Sequence, residues 1–363
     1  MHGKQFDELN LPESSTKKIK LIQKLIFSLL LLIAAYYSYA QPKRFEYVEN
    51  KMASPFTIIL YHEDSSTANR LARESFLLVD SLAAIFTDYD ENSELNRFCA
   101  TASNTAMYRP LSPALFDILL RSKRAWQVSK GSFDISLGGL TKLWRMARKT
   151  DQWPSPDSVA AALNQTGMKY LQLDPRTQSA RLLKPGIQLD LGGIAQGYIG
   201  DQVMRFLQSQ GITTALIDVS GDITVRGHPP GKSGWVVAIN TPHHEEEWLH
   251  DHLYLQDHSV TSSGDLYQYM EHEGKRYSHI INPKTGYGLT ARKSVTVVAK
   301  DPVVADWLTK AISILPLKKA RKLAKKLDAE FLIAELEMDE LKFHHSKGFA
   351  NFMKTFASKE EVH

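Results

Sequence analysis

β-Branched and aromatic runs gather in clusters along this chain instead of alternating one by one with helical segments. That pattern excludes a regular succession of βαβ units. It predicts an α+β fold, with mixed sheets and packed helices in one large domain. Pro55–Tyr61 (PFTIILY) has strand composition. Leu71, Phe76, Leu78, Val79, Leu82 and Ile85 recur at helical spacing and predict a helix over Thr67–Phe86. DYDENSELNRF follows as a polar turn and a short helix. Ser112 has the chemistry of a helix N-cap, and Gly131 that of the stop after a helix through Trp126. Ser155 or Ser158 caps another short helix. KYLQLD and GIQLDL predict strands with a turn between them, before a helix from Ile194 to Gln210 that stops at Gly211. TALIDVSGDITVRG predicts a hairpin. WVVAIN, LYQYMEHEGKRYSHIIN, SVTVVAK and AEFLIAEL supply further strands, with a helix over Val303–Leu327 among them. No Pro/Gly/Ser linker divides residues 41–363.

The first 40 residues have a different character. Lys17, Lys18, Lys20 and Lys24 precede an uncharged run, Leu25–Ala40, with small residues at Ser38 and Ala40. Basic, apolar and small-residue regions in that order predict a secretory signal. The run is short of the about 20 apolar residues a membrane span needs, and the alternative is an uncleaved anchor. Either way the expected location is the periplasmic side of an inner membrane, soluble if the signal is removed. The formal charge of +4 over 363 residues is too mild to argue for a nucleic-acid partner. A single cysteine, Cys99, leaves an exported chain no intramolecular disulfide, and its 43% hydrophobic composition must supply the stability.

Four corners join glycine to a carboxylate: GSFD (131–134), DLGG (190–193), SGD (220–222) and TSSGD (261–265). Glycine permits close backbone approach, and serine and threonine supply hydroxyl donors. A helix opening after Gly193 aims N–H groups outward, which suits a phosphate. Carboxylates beside a phosphate require a cation, and a hard divalent ion takes oxygen ligands. The corners read this way predict a phosphate-bearing ligand with a metal; read singly, each is ordinary turn chemistry.

Seven segments in order resemble the ApbE family of FAD:protein FMN transferases. KMASPFTIIL resembles the family's opening strand, DYDENSELNRF its Tyr…Asp-Ser-Glu-Leu segment, and GSFDISLGGLTKLW its Gly-x-Phe-Asp segment. LDLGGIAQGYIGD is similar to Asp-Leu-Gly-Gly-Ile-Ala-Lys-Gly, and IDVSGDITVRG to Gly-Gly-Asp-Ile. VTSSGDLYQY with YSHIINPKTGYG resembles Thr-Ser-Gly-Asp…His-Ile-Ile-Asp-Pro-x-Thr-Gly. SVTVVAKDPVVADWLTKAI resembles the family's Ala-Asp helix. The resemblance implies a T-fold-like domain that binds FAD and Mg²⁺. It implies transfer of FMN to a Thr or Ser hydroxyl of an acceptor flavoprotein subunit of a membrane redox complex, with release of AMP. Carried over, it implies Met52, Tyr89, Ser132, Phe133, Asp134, Asp190, Gln196, Ser263, His279 and Thr285 around FAD. It implies Asp306 and His279 as catalytic, and Asp306 with the Gly193 carbonyl as metal ligands. The family's usual Asp-x-x-x-Thr is here Asp306 to Lys310, with Thr309 as the nearest hydroxyl, while Gln196 replaces the usual Lys. The alternatives are a FAD-binding protein without transfer and a Mg²⁺-dependent FAD pyrophosphatase.

Other features read more plainly. HHEEEWLHDH (243–252) matches no zinc spacing and reads as an exposed loop. KKARKLAKK (318–326) reads as a solvated helix face, Cys99 as a half-buried small residue, and Trp126, Trp144 and Trp307 as core or cavity wall.

Overall fold

A computed structural model describes residues 18, 20–30, 42–103, 107–238, 252–264, 269–337 and 340–353. Eight strands form the main sheet in the order β1 (Lys43–Lys51), β2 (Ser54–His62), β6 (Ala215–Val219), β7 (Asp222–Arg226), β10 (Ser259–Gly264), β13 (Arg292–Ala299), β14 (Glu330–Glu337), β15 (Glu340–His345). Every pairing in it is antiparallel. Sheet neighbours follow one another along the chain, with long excursions between some of them. The longest separates β2 from β6 and returns to its starting point, where the Tyr61 amide donates to the Thr214 carbonyl at 3.1 Å.

Side-chain alternation in β2 shows how the sheet is covered. Phe56, Ile58 and Leu60 point into the larger core, and Ile59 and Tyr61 into a smaller one on the opposite face. The larger core packs helices α2 (Ser65–Phe86), α4 (Pro113–Val128), α7 (Ala195–Ser209) and α8 (Pro302–Ile314) on the sheet. The smaller lies under β8 (Trp235–Ala238), β9 (His252–Leu255) and Phe349. A third cluster joins α5 (Gly138–Thr150), α6 (Pro156–Asn164), Met270 and Ile281.

Caps fall where the sequence puts them. Ser112 Oγ accepts from Leu115 N at 3.2 Å, Ser155 Oγ accepts from Ser158 N at 3.2 Å, and Gly131 N closes the end of α4 on Trp126 O at 2.9 Å. Two expectations are corrected. The helix expected over Val303–Leu327 is two, α8 and α9 (Leu317–Lys326), because Pro316 has no N–H to continue the ladder. GIQLDL is extended but no strand; it makes one parallel bridge, Leu137 to Gln188, and the strand beside β4 (Leu171–Asp174) is β5 (Ser179–Leu182). The basic residues of α9 face solvent while Ala320, Leu323 and Ala324 are buried. Residues 20–30 are helical (α1) with exposed side chains. Among the described residues no helix is long and apolar enough to cross a membrane. The rest of 1–40, and residues 243–251 of the His/Glu-rich loop, lie outside the described residues.

Candidate active site

The bridge that replaces the expected strand builds the site. Asp190 N donates to Ile135 O at 2.8 Å and Gly138 N to Gln188 O at 3.1 Å. A methyl group on Gly138 would come within 2.8 Å of the Gln188 carbonyl, so only glycine fits there. The two segments are thereby clamped, and the GSFD and DLGG corners stand together. In each the acid folds back on its own backbone: Asp134 accepts from Ser136 N at 2.7 Å, and Asp190 from Gly192 N at 2.7 Å. Burial pushes both carboxyls above their usual range, and Asp88 adds to the effect at Asp190.

These corners open on a cavity of about 1840 Å³. An ordinary small-molecule site holds about 300–1,000 Å³, so this one has room for a dinucleotide and part of a second molecule. Met52, Tyr89, Ser132, Phe133, Asp134, Asp190, Gly193, Gln196, Ser263, His279 and Lys310 all line it. Phe133 is held by the Trp307 ring, 5.7 Å away between centroids. At the rim, the Arg145 guanidinium binds Asp88 at 3.0 Å and lies 3.9 Å over the Tyr89 ring. Met52 and Ala53 turn the β1–β2 hairpin at the cavity edge with φ of 51° and 62°, the left-handed region.

Thr285 does not line the cavity. It is exposed in the turn Asn282–Gly286, and its hydroxyl accepts from Tyr287 N at 3.3 Å. Thr309 is also elsewhere: it is fully buried and its hydroxyl donates to the Asp306 carbonyl at 2.7 Å, one turn back along α8. The SGD corner is a hairpin turn, with Ser220 and Gly221 at φ of 57° and 97°. Asp265 of the TSSGD corner lies outside the described residues.

Asp306 has no exposure at all. Its Oδ2 accepts from Gly197 N at 2.9 Å and its Oδ1 from Lys310 Nζ at 2.5 Å. A carboxylate, not a phosphate, therefore takes this amide at the N-terminus of α7, where the helix dipole favours negative charge. Both oxygens are engaged and Lys310 lies on the cavity side. Of the residues expected to hold a metal, Gly193, Asp306 and Lys310 are brought together, but Lys310 takes Oδ1 and the Thr309 hydroxyl is turned to the helix; Asp306, fully buried, is not placed to take a proton from a molecule in the cavity. Gly193 instead packs on the Lys310 stem, which would be 3.7 Å from a methyl group there.

Asp222, on the strand after the SGD turn, completes this cluster; the sequence marked its corner but not its role. It is 7% exposed, Thr261 donates to it, and its Oδ2 has no donor facing it. Burial, and then the charge of Asp306, hold its carboxyl well above the usual range. Burial opposes the Lys310 charge, but Asp306 and Asp222 outweigh it and raise that pKa. Arg145 carries no sequence signal beyond a cation on the open face of a helix, a common pattern.

Comparison with known proteins points one way. Residues 52–333 match the ApbE family. A FAD:protein FMN transferase of Klebsiella pneumoniae is 31% identical over 260 residues, 71% of this chain and 78% of that protein. One from Escherichia coli K12 is 28% identical over 295 residues, 80% of this chain and 84% of its own. The apo flavinyl transferase ApbE of Pseudomonas stutzeri superposes with a TM-score of 0.77 at 25% identity, covering 86% of this chain and 97% of that one. A variant of the Vibrio cholerae flavin transferase ApbE gives 0.76 at 26%, covering 85% and 99%.

Proposed function

The chain belongs to the ApbE family, and from that premise we propose that it is a FAD:protein FMN transferase. The observation that carries this reading is the convergence of five separate segments, those of Met52, Ser132–Asp134, Asp190–Gly193, Ser263 and His279, on one cavity of dinucleotide size. In the reaction, the acceptor's Thr or Ser oxygen bonds to the FMN phosphorus. The bond from that phosphorus to the oxygen of the AMP phosphate breaks, and AMP leaves with the electron pair. Proton removal from the hydroxyl falls to His279, whose flanking backbone is tied to Leu289 through Ser278 N and Ile280 O and whose side chain lines the cavity. Phe133, Met52 and Tyr89 supply apolar and aromatic surface for a flavin ring, and Arg145 a positive charge at the rim for a polyanion.

Mg²⁺, implied by the resemblance, does not fit the residues around Asp306. A second cation on Asp306 Oδ1 would lie within about 4 Å of the Lys310 ammonium, a repulsion of order 8 kcal/mol for a divalent ion at an effective dielectric of about 20. Export by residues 1–40, and an acceptor in a membrane redox complex, extend the same reading; the basic, apolar and small-residue order of that segment supports the first.

The test is to incubate the protein with FAD and a candidate acceptor. Flavin covalently attached to the acceptor, with AMP released, supports transfer. AMP and free FMN without attachment would instead make it a pyrophosphatase, and unchanged bound FAD a binding protein.

A further inference from the structure

Lys310 holds the place where the carboxylates of this site need a cation. Its ammonium is 2.5 Å from Asp306 Oδ1, and its side chain, 21% exposed, lines the cavity. The stem lies beside Gly193, where an added methyl would be in ordinary contact with Cγ and Cε at 3.7 and 3.8 Å and tight only on the Phe133 ring, at 3.2 Å. Asp306 is fixed from the other side by Gly197 N, so the ion pair cannot turn away from the cavity without breaking an α7–α8 contact. Asp222, buried beside it, is near enough for its charge to act on Lys310.

We infer that the Lys310 ammonium is a built-in counter-cation for the FAD diphosphate, and that FAD binding and transfer need no divalent ion at this position. The inference rests on the transferase reading for its ligand, a dinucleotide diphosphate. As the acceptor O–P bond forms and the P–O bond to AMP breaks, Lys310 keeps its proton and offsets charge on the phosphate oxygens by donating hydrogen bonds. A lysine does this as a fixed point charge, without the near-ideal octahedral oxygen shell that Mg²⁺ demands.

The experiment uses the full chain and Mn²⁺ as a paramagnetic probe, with and without EDTA. Wild-type protein is expected to bind no stoichiometric Mn²⁺ by EPR. Its FAD affinity by fluorescence titration should change less than about 2-fold in EDTA, and transfer should persist. Lys310→Thr should lose roughly 100-fold in FAD affinity in EDTA, bind one Mn²⁺ per chain, and recover affinity with it. Lys310→Met serves if the threonine variant does not fold. It should lose FAD affinity in the same way, while the wild-type Mn²⁺ count stands by itself. One Mn²⁺ bound per wild-type chain, or collapse of wild-type FAD affinity in EDTA, overturns the inference. If FAD binds but no acceptor is ever modified, the transferase reading fails while the Mn²⁺ count and the EDTA comparison still decide the role of Lys310.

Discussion

Gly197 donates its amide hydrogen to Asp306 Oδ2 at 2.9 Å, and its α-carbon sits where an added methyl would be 2.4 Å from the Pro302 carbonyl oxygen and 2.8 Å from Asp306 Cβ. The contact sets the distance between the helix that carries Gln196 and the helix that carries Lys310.

Gly197→Ala must therefore separate α7 from α8. We expect a loss of about 2–3 kcal/mol in urea unfolding, as for an overpacked core, with weaker FAD binding. An unchanged midpoint would show that the two helices are not in close contact.

Lys310→Met leaves Asp306 buried without its partner. Breaking a buried pair from one side costs about 3–5 kcal/mol. Adding Asp306→Asn should recover part of the loss, because the uncompensated charge is then gone. Equal destabilisation by the single and double variants would mean that the pair is not coupled.

Ala53 stands at φ 62°, where a side chain is strained. Ala53→Gly should raise stability by about 1 kcal/mol, the strain relieved exceeding the added freedom of the unfolded chain. Chemical denaturation of the two proteins side by side decides it, and a loss of stability would count against the left-handed turn.

Cys99 is not half-buried but 4% exposed, and burial lifts its thiol to about 11. At pH 8 only about 1 thiol in 1,000 is then ionised. Iodoacetamide should label the folded protein far more slowly than the unfolded one, with a rate that climbs as pH rises toward that value. Labelling of native protein at the pace of a free thiol would contradict this placement.

The sequence carried the strands and caps well where one residue type has one physical job: PFTIILY in β2, Ser112 and Ser155 as caps, the SGD turn. It carried less where the decisive contact is remote. Thr285 belongs to a motif, but the turn around it spends its hydroxyl locally. Thr309 shares the helix of Asp306, yet its hydroxyl donates to that helix's own carbonyl. Asp222 is a turn acid until folding sets it against Asp306 and Lys310, which come from far along the chain. GIQLDL has strand composition, but among the described residues its one β-bridge is to the irregular segment 135–138. Two further elements are marked in the sequence. α5 shows Leu140, Leu143, Trp144 and Ala147 at helical spacing, and β1 alternates charged with aromatic residues as a solvated edge strand does.

The seam between β2 and β6 has a consequence for how the chain reaches this state. Every other neighbour pair in the sheet closes a shorter stretch of chain, whereas Tyr61 finds Thr214 only after about 150 residues have been gathered in, a loop-closure cost of roughly 4 kcal/mol. Refolding should wait there, with the hairpins at both ends of the sheet formed early and the cavity last, because its walls come from both sides of that seam.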